Sequence, residues 1–126
     1  MLGLPHAFVI FDTEYTTWEG AFERNWSGPN EFREIAQIGA IRVDGNTLDE
    51  IDSFATLVRP VKNSLLSAYF TRLTGITQEK VDAEGIDFKT ALTRFAEWCT
   101  NLSIYSFSMM DGKVLEANCK LTGIPF

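Results

Sequence analysis

The sequence has few basic residues and no long hydrophobic run. Its 126 residues include 11 Lys and Arg against 17 Asp and Glu, for a net charge of −6. Binding of nucleic acid through a broad basic patch is therefore not expected. No stretch approaches the ~18 apolar residues that span a bilayer, and no leader-like segment precedes the first strand-like run. We therefore expect a cytoplasmic protein that does not enter the membrane.

Cysteine and histidine are also scarce. Cys99 and Cys119 are the only cysteines and have no CxxC spacing, so neither a zinc site nor a disulfide framework is indicated. We expect both to be free, half-buried thiols on helices. The single histidine, His6, precedes the first strand, and at ~3.3 Å per residue it lies about 20 Å from Asp12. We expect an ordinary surface histidine there, not a general base that acts beside Asp12.

Hydrophobic residues make up 45% of the chain and include ten Phe and three Trp, enough for one core in a single domain over residues 1–126. The apolar run Ala7–Phe11 predicts a buried strand. Glu34–Val43 and Ile51–Val58 flank a turn signal at residues 44–46 and predict an antiparallel hairpin. Trp18–Arg33, with two glycines and a proline, predicts a long loop.

Helical spacing follows the hairpin. Apolar residues three and four apart from Leu65 to Leu73 predict a helix that ends at Gly75, and a short helix is expected after Thr77. Asp87 is a good N-cap for a longer helix with one apolar face.

The last third of the chain predicts one more strand and one more helix. Leu102–Phe107 is strand-like, and Asp111–Thr122 is helical, with Gly123 just beyond its end. The order β-β-β-α-α-β-α predicts an α/β fold with a mixed sheet, in which an antiparallel hairpin is followed by a crossover to a fourth strand parallel to the first.

Two carboxylates end the first strand. Asp12 and Glu14 are two residues apart, so they point to the same face. Such a pair repels and loses hydration, and a hard divalent cation such as Mg²⁺ or Mn²⁺ would compensate it. A solvated strand end, with Asp12 capping the turn, is an equally open alternative.

A third acid, Asp111, opens the last helix. Ser108–Asp111 fits an S-x-x-D capping box, so stabilisation of the helix start is one explanation of this acid. If the fourth strand lies parallel to the first, however, its carboxyl end meets Asp12 and Glu14 at the edge of the sheet where ligands bind. Three acids would then converge.

Four segments in the same order resemble the DEDD 3′–5′ exonuclease superfamily of the DEDDh type. They are residues 10–16 (IFDTEYT), similar to the first acidic motif; residues 34–45 (EIAQIGAIRVDG), similar to the second strand and its turn; residues 57–84, with the pattern VxP…LS…LTGIT; and residues 105–125, similar to the second acidic motif. The spacing of the last segment resembles the branch of histone-mRNA and small-RNA exonucleases. The resemblance covers nearly all of residues 7–126.

This resemblance implies an RNase H-like fold and phosphodiester hydrolysis with two Mg²⁺ or Mn²⁺ ions. Asp12 would bridge both metals, Glu14 would bind one metal and the 3′ hydroxyl, and Asp111 would hold the second metal. Two such ions can activate water and stabilise the departing oxygen. The implied substrate is a single-stranded nucleic-acid 3′ end, with RNA slightly favoured over DNA, and the product is a nucleoside 5′-monophosphate.

The resemblance also implies residues that contact the substrate. Thr16, Leu73 and Thr74 are expected near the terminal nucleotide. Trp18 is a candidate for stacking on a base, although an aromatic residue that packs beneath a loop would look the same in sequence.

The sequence departs from the family in one motif. The His-x₄-Asp or Tyr-x₃-Asp motif that supplies the fourth acid does not occur before Phe126. We hypothesise a truncated form without the C-terminal strand and helix, which binds one metal ion or none and has weak or no activity. Its fourth strand would be an exposed edge through which the protein self-associates. The alternative is a non-catalytic, exonuclease-like module that binds a partner.

Overall fold

A computed structural model describes residues 3–125 of the chain. The strands are β1 (Ala7–Tyr15), β2 (Ile35–Asp44), β3 (Glu50–Leu57) and β4 (Ser103–Ser106). The helices are α1 (Ala21–Arg24), α2 (Ala68–Thr74), α3 (Gln78–Glu84), α4 (Phe88–Cys99) and α5 (Met109–Thr122).

The four strands form one mixed sheet in the order β3-β2-β1-β4. β2 pairs antiparallel with both β1 and β3, whereas β4 pairs parallel with β1, from Phe8 opposite Ser103 to Phe11 opposite Ser106. The β2–β3 turn is stabilised by Asp44, whose carboxylate accepts the backbone N–H groups of Asn46 and Thr47 at 2.8 and 3.0 Å. The predicted α/β fold with a parallel fourth strand is confirmed.

Several element boundaries differ from the predicted ones. β1 continues past Phe11 to Tyr15 because its alternation of buried and more exposed residues, and its pairing with β2, continue through the polar residues. The predicted loop Trp18–Arg33 contains the single-turn helix α1. β4 is shorter than predicted, and α2 begins at Ala68, after the cap Ser67. Within residues 3–125, α1 is a helix that was not predicted, and α3 is the short helix expected after Thr77, which the order β-β-β-α-α-β-α did not count.

Side-chain caps set where the helices between β3 and β4 begin. The Ser67 hydroxyl accepts the Phe70 N–H at 3.0 Å, the Thr77 hydroxyl accepts the Lys80 N–H at 3.1 Å, and the Asp87 carboxylate accepts the Thr90 N–H at 3.0 Å. Each bond satisfies an amide that has no partner within its helix. The predicted cap at Asp87 is confirmed, as are the short helix after Thr77 and the end of α2 at Gly75.

The main core lies between the sheet and helices α4 and α5. Phe11 of β1 packs against Phe95 of α4, with ring centroids 5.6 Å apart. Cys99 and Cys119 are free but fully buried in this core, so the expectation of half-buried thiols was wrong. Burial raises the pKa of both thiols, since an apolar environment disfavours the thiolate.

A second, smaller apolar cluster anchors α2 and α3 beside the start of β2. Its buried members are Ala36, Phe70, Ile76 and Val81. Because α2 is anchored in this way, its C-terminal residues have a fixed position relative to the end of β1. Within residues 3–125, none of the helices is long and apolar enough to cross a membrane.

Candidate active site

A cleft of about 340 Å³ opens at the carboxyl ends of β1 and β4. Five polar residues form its acidic side: Asp12, Thr13, Glu14, Ser108 and Asp111. Its other walls are mainly aromatic and apolar, formed by Tyr15, Thr17, Phe22, Trp26, Tyr69, Leu73 and Thr74. Because β4 runs parallel to β1, both strands end at the same edge of the sheet. Asp111, just after β4, therefore lies at the edge where β1 places Asp12 and Glu14.

Within residues 3–125, neither Asp12 nor Glu14 forms an ion pair at this edge. Burial raises the pKa of Asp12, and the negative charge of Asp111 raises it further. Burial also raises the pKa of Glu14, with additional repulsion from Asp12 and Asp111. These three carboxylates are therefore close enough to destabilise one another when they are ionised.

Asp111 is only 1% exposed and is held by four hydrogen bonds. Its Oδ1 accepts the Thr13 backbone N–H at 3.1 Å and the Thr13 hydroxyl at 2.7 Å. Its Oδ2 accepts the Ser108 backbone N–H at 3.0 Å and the Ser108 hydroxyl at 3.1 Å. The two explanations of Asp111 from sequence are thus compatible, because one carboxylate both stabilises the start of α5 and lines the cleft.

The donor set suits a divalent cation. Within residues 3–125, no three His, Cys, Asp or Glu side chains already stand in an arrangement that could hold a metal ion. The cleft nevertheless gathers three carboxylates, whose oxygens are the ligands that Mg²⁺ and Mn²⁺ prefer. No Lys or Arg of the described chain lines it, so its negative charge has no cationic counterpart in the lining. These oxygen ligands and this negative charge suit a hard cation, and Asp12 and Glu14 are the side chains that would hold it.

The predicted substrate residues divide into two groups. Leu73 and Thr74, at the end of α2, line the cleft. Thr16 does not line it, because its side chain is buried and its hydroxyl donates to the Phe32 carbonyl at 2.6 Å. Trp18 lines a separate cavity beside Asn63. Thr17, which lies between them in sequence, does line the cleft, and the expected contacts of Thr16 and Trp18 with a terminal nucleotide remain predictions.

Sequence reasoning did not find the aromatic wall of the cleft. Phe22 and Trp26 both fall in the stretch that was predicted as a loop. Trp26 is fixed there, since its Nε1–H donates to the Thr16 carbonyl at 2.9 Å and the Arg33 guanidinium lies 4.1 Å from its ring centroid. A single turn is too short for hydrophobic periodicity to reveal. The only sequence signal was the presence of four aromatic residues, Trp18, Phe22, Trp26 and Phe32, in the predicted loop.

Comparisons with known proteins agree with this geometry. Residues 9–121 match the Exonuclease family, RNase_T. The chain is 37% identical over 100 residues to the 3′-5′ exonuclease Snipper of Drosophila melanogaster, a match that covers 77% of the chain and 33% of Snipper. It is 32% identical over 127 residues to human 3′-5′ exoribonuclease 1, covering 93% of the chain and 34% of that protein.

Solved structures agree in fold. The nuclease domain of 3′hExo, a DEDDh family member bound to rAMP, superposes with a TM-score of 0.81 at 28% identity, covering 95% of this chain and 61% of that one. The cell-death related nuclease CRN-4 has a TM-score of 0.79 at 21% identity, covering 96% and 42%, and shares the fold. The chain thus spans about a third of the two curated relatives described above. Its sequence match, its RNase H-like sheet and its similarity to 3′–5′ exonucleases place this chain in the Exonuclease (RNase_T) family.

Proposed function

We propose that this chain is a metal-dependent 3′–5′ exonuclease domain that releases nucleoside 5′-monophosphates from single-stranded 3′ ends. The observation that carries the proposal is the gathering of Asp12, Glu14 and Asp111 in one cleft at the carboxyl ends of β1 and β4.

The reaction is the hydrolysis of the last phosphodiester bond. A water oxygen loses a proton and forms a new bond to phosphorus, and the bond from phosphorus to the 3′ oxygen of the preceding nucleotide breaks. That oxygen takes up a proton from solvent and leaves as a 3′ hydroxyl. A divalent cation, when bound, supplies the positive charge that activates the water and stabilises the departing oxygen. Asp12 and Glu14 would hold that cation at the cleft, while Thr13 and Ser108 keep Asp111 in place beside them.

We expect the activity of this chain to be weak. No histidine of the described residues lines the cleft, and His6, the only histidine in the sequence, is exposed just before the start of β1. General-base assistance is typically worth ~10²–10⁴-fold in rate, so a cleft without such a base operates at a corresponding disadvantage.

RNA is the substrate that we propose in preference to DNA. The support is the similarity to 3′hExo, whose nuclease domain was solved bound to rAMP, and to a 3′-exonuclease that recognises the 3′ end of the histone mRNA stem-loop.

A non-catalytic binding module is the second candidate. The observation that favours it is the set of four hydrogen bonds that already occupies both carboxylate oxygens of Asp111. Such a carboxylate is less available to a metal ion than a solvated one. The module would bind a 3′ end in the same cleft without cutting it.

One assay separates the two candidates. Unlabelled single-stranded RNA and DNA oligonucleotides are incubated with the chain and Mg²⁺ or Mn²⁺, and the products are separated by chromatography and detected by their ultraviolet absorbance. The exonuclease proposal expects nucleoside 5′-monophosphates, abolished by Asp12→Asn and by Glu14→Gln but retained by Asp49→Asn, a matched change at an exposed position beside the β2–β3 turn. Binding without release of any mononucleotide would support the module instead.

A further inference from the structure

Asn118 is a buried polar side chain in α5 that the proposed reaction does not use. It is only 2% exposed, and the other buried residues around it on this helix, Val114, Leu115 and Cys119, are apolar. Burial of an amide in such surroundings costs free energy unless its polar atoms are hydrogen-bonded. An apolar residue would fill the same place without that cost, so the amide points to a specific contact.

The amide of Asn118 is hydrogen-bonded at both of its ends. Its Oδ1 accepts the Ile35 backbone N–H at 2.9 Å, and its Nδ2 donates to the Arg33 carbonyl at 2.8 Å. Nδ2 also donates to the Val114 carbonyl, one turn back in the same helix, at 2.8 Å. The side chain therefore binds two backbone groups that lie 83 and 85 residues away in sequence.

The Asn118 amide takes the place of a neighbouring strand at the start of β2. The Glu34 carbonyl accepts the Thr16 backbone N–H at 2.8 Å, so Glu34 pairs with the end of β1. Alternate residues of an extended chain direct their backbone groups to opposite sides, so the residues before and after Glu34 face away from β1. The ladder with β3 begins only at Gln37. Asn118 therefore occupies an edge that β3 leaves open at this point.

Two polar contacts fix α5 to the rest of the fold. Among residues 3–125, the side chains of α5 that hydrogen-bond outside the helix and its cap are Asp111, bonded to Thr13, and Asn118. They are two turns apart, or ~10 Å along the axis, and lie on the same face. The apolar contacts of α5 are not directional. A helix held at one polar point can pivot or slide, whereas a helix held at two cannot.

The same amide is connected to the aromatic wall of the cleft. The Arg33 guanidinium lies 4.1 Å from the ring centroid of Trp26, which lines the cleft. Asn118 thus binds the backbone of the residue whose side chain supports Trp26, and it belongs to the helix whose first turn contains Asp111. The acidic side of the cleft and its aromatic wall are therefore joined through one side chain.

We propose that Asn118 is a positioning residue, which places Asp111 beside the other two carboxylates by fixing α5 to the start of β2. It acts through Asp111 and does not itself line the cleft. This inference rests on the proposed function, because it takes Asp111 to belong to the reaction site. A buried polar group with all its bonds made specifies one arrangement of the elements around it, here the arrangement in which the three carboxylates meet.

The first measurement uses the wild-type chain without metal or nucleic acid. The side-chain amide hydrogens of Asn118 are followed by NMR in deuterated solvent. They should exchange at least about 5-fold more slowly than those of Asn46, which is exposed in the β2–β3 turn, because their hydrogen bonds must open first. Equally fast exchange would overturn the inference, since the amide would then not be held.

Asn118→Leu removes the amide and keeps a side chain of similar volume. The Thr13 and Ser108 backbone amides report the position of Asp111, because both donate to its carboxylate. In the variant they should exchange about 5- to 150-fold faster relative to the amides that pair β2 with β3, the range for loss of one buried hydrogen bond. The affinity of the folded chain for Mn²⁺, titrated alone, should fall about 10-fold, as for other residues that orient a metal ligand.

Val81→Ala is the matched control for a loss of stability alone. Val81 is fully buried in the smaller apolar cluster, which contains no residue of α5, and its truncation leaves a cavity that destabilises the fold. The relative exchange of the Thr13 and Ser108 amides and the affinity for Mn²⁺ should remain as in wild type. Changes of the same size in both variants would overturn the positioning role, since stability alone would then explain them.

Asn118→Asp is the second variant, for the case that Asn118→Leu does not fold. It keeps the shape of the side chain and an acceptor for the Ile35 N–H, but at neutral pH it has no donor for the Arg33 carbonyl. The Thr13 and Ser108 amides should again exchange faster relative to those between β2 and β3. Unchanged amides in this variant would also overturn the inference.

The outcomes separate this inference from the proposed function. Unchanged Thr13 and Ser108 amides in Asn118→Leu overturn the positioning role even if the wild-type chain releases mononucleotides. Faster exchange in Asn118→Leu but not in Val81→Ala supports it even if the wild-type chain neither binds Mn²⁺ nor cleaves RNA, in which case only the exonuclease proposal fails.

Discussion

Thr13 is the residue whose two donors fix the position of Asp111. It lies between Asp12 and Glu14, is buried, and also lines the cleft, where its N–H and hydroxyl both donate to Oδ1 of Asp111. Asp12 and Glu14 of β1 thus have a different role from Thr13, which lies between them. Asp12 and Glu14 face the cleft, and Thr13 holds the third carboxylate next to them.

Thr13→Val is expected to weaken both the fold and the site. Valine keeps the shape and the backbone N–H but loses the hydroxyl bond to a charged acceptor, a change of about 1.5–3 kcal/mol. Loss of a residue that orients a ligand typically costs ~10–100-fold in metal affinity or activity. The measurements are denaturant unfolding and a Mn²⁺ titration. Thr13→Ser, which restores the hydroxyl, should recover most of both effects, and its failure to do so would contradict this role of Thr13.

Asp12→Asn is expected to stabilise the metal-free fold at neutral pH. Burial and Asp111 raise the folded-state pKa of Asp12, so ionised Asp12 destabilises the folded state. A raised carboxyl pKa favours folding only below the unfolded-state pKa, and that benefit is lost as the pH rises through the folded-state pKa. The advantage of the Asn variant should therefore be present near neutral pH and disappear on acidification. Thermal unfolding across pH, with Asp49→Asn as the matched control, tests this, and an advantage that does not vary with pH would contradict it.

Among the elements, β4 is the most exposed. All four of its residues are exposed, and within residues 3–125 it has a neighbour on one side only. Ile104 and Tyr105 remain about half exposed on it, and Phe107, just beyond it, is 77% exposed. An open, apolar edge strand is a template for pairing with another chain.

We expect the chain to self-associate through β4. Sedimentation at roughly tens of micromolar should detect a species larger than a monomer, and Ile104→Lys should restore the monomer, because a charge on an edge strand opposes pairing. Leu48→Lys, at a similarly exposed position near the β2–β3 turn, should leave the association unchanged. A strictly monomeric wild-type protein would contradict the prediction.

The elements differ in how far they could be predicted from sequence. β1 follows from an apolar run, the β2–β3 hairpin from a turn signal, and α4 from the cap at Asp87 and its apolar face. All of these signals are local in the chain. To predict that Asp111 lies near Asp12, only one further rule is needed, namely that a crossover strand runs parallel to the first strand. Thr13 was missed because its partner is 98 residues away in sequence, and Phe22 was missed because a single turn such as α1 has no periodicity.

For the whole molecule, the excess of acidic over basic residues has its largest effect on binding at the cleft. The net charge of −6 gives no general attraction for a polyanion, and the cleft itself has no cationic side chain among its described residues. Only a bound divalent cation can then make the electrostatic potential in the cleft positive. Affinity for nucleic acid and affinity for metal should rise together in this protein.

Mn²⁺ is expected to stabilise the whole fold. An ion that binds only the native state at about 100 times its Kd adds ~2.7 kcal/mol, which raises the Tm of a domain of this size by roughly 10 °C. Asp12→Ala should abolish the shift, and Asp49→Ala should keep it. The measurement is thermal unfolding with increasing Mn²⁺. A wild-type Tm that does not change with Mn²⁺ would contradict the proposed metal site.

The parallel pairing of β1 with β4 extends over four residue pairs, whereas β1 and β2 share nine. Fraying of so short a ladder requires far less free energy than global unfolding, and it would carry the start of α5 away from the sheet. Amide hydrogens of β4 should accordingly exchange with deuterated solvent well before those of β2. On warming, the third acid would leave the cleft while the hairpin is still intact, so heat inactivation should precede the loss of secondary structure.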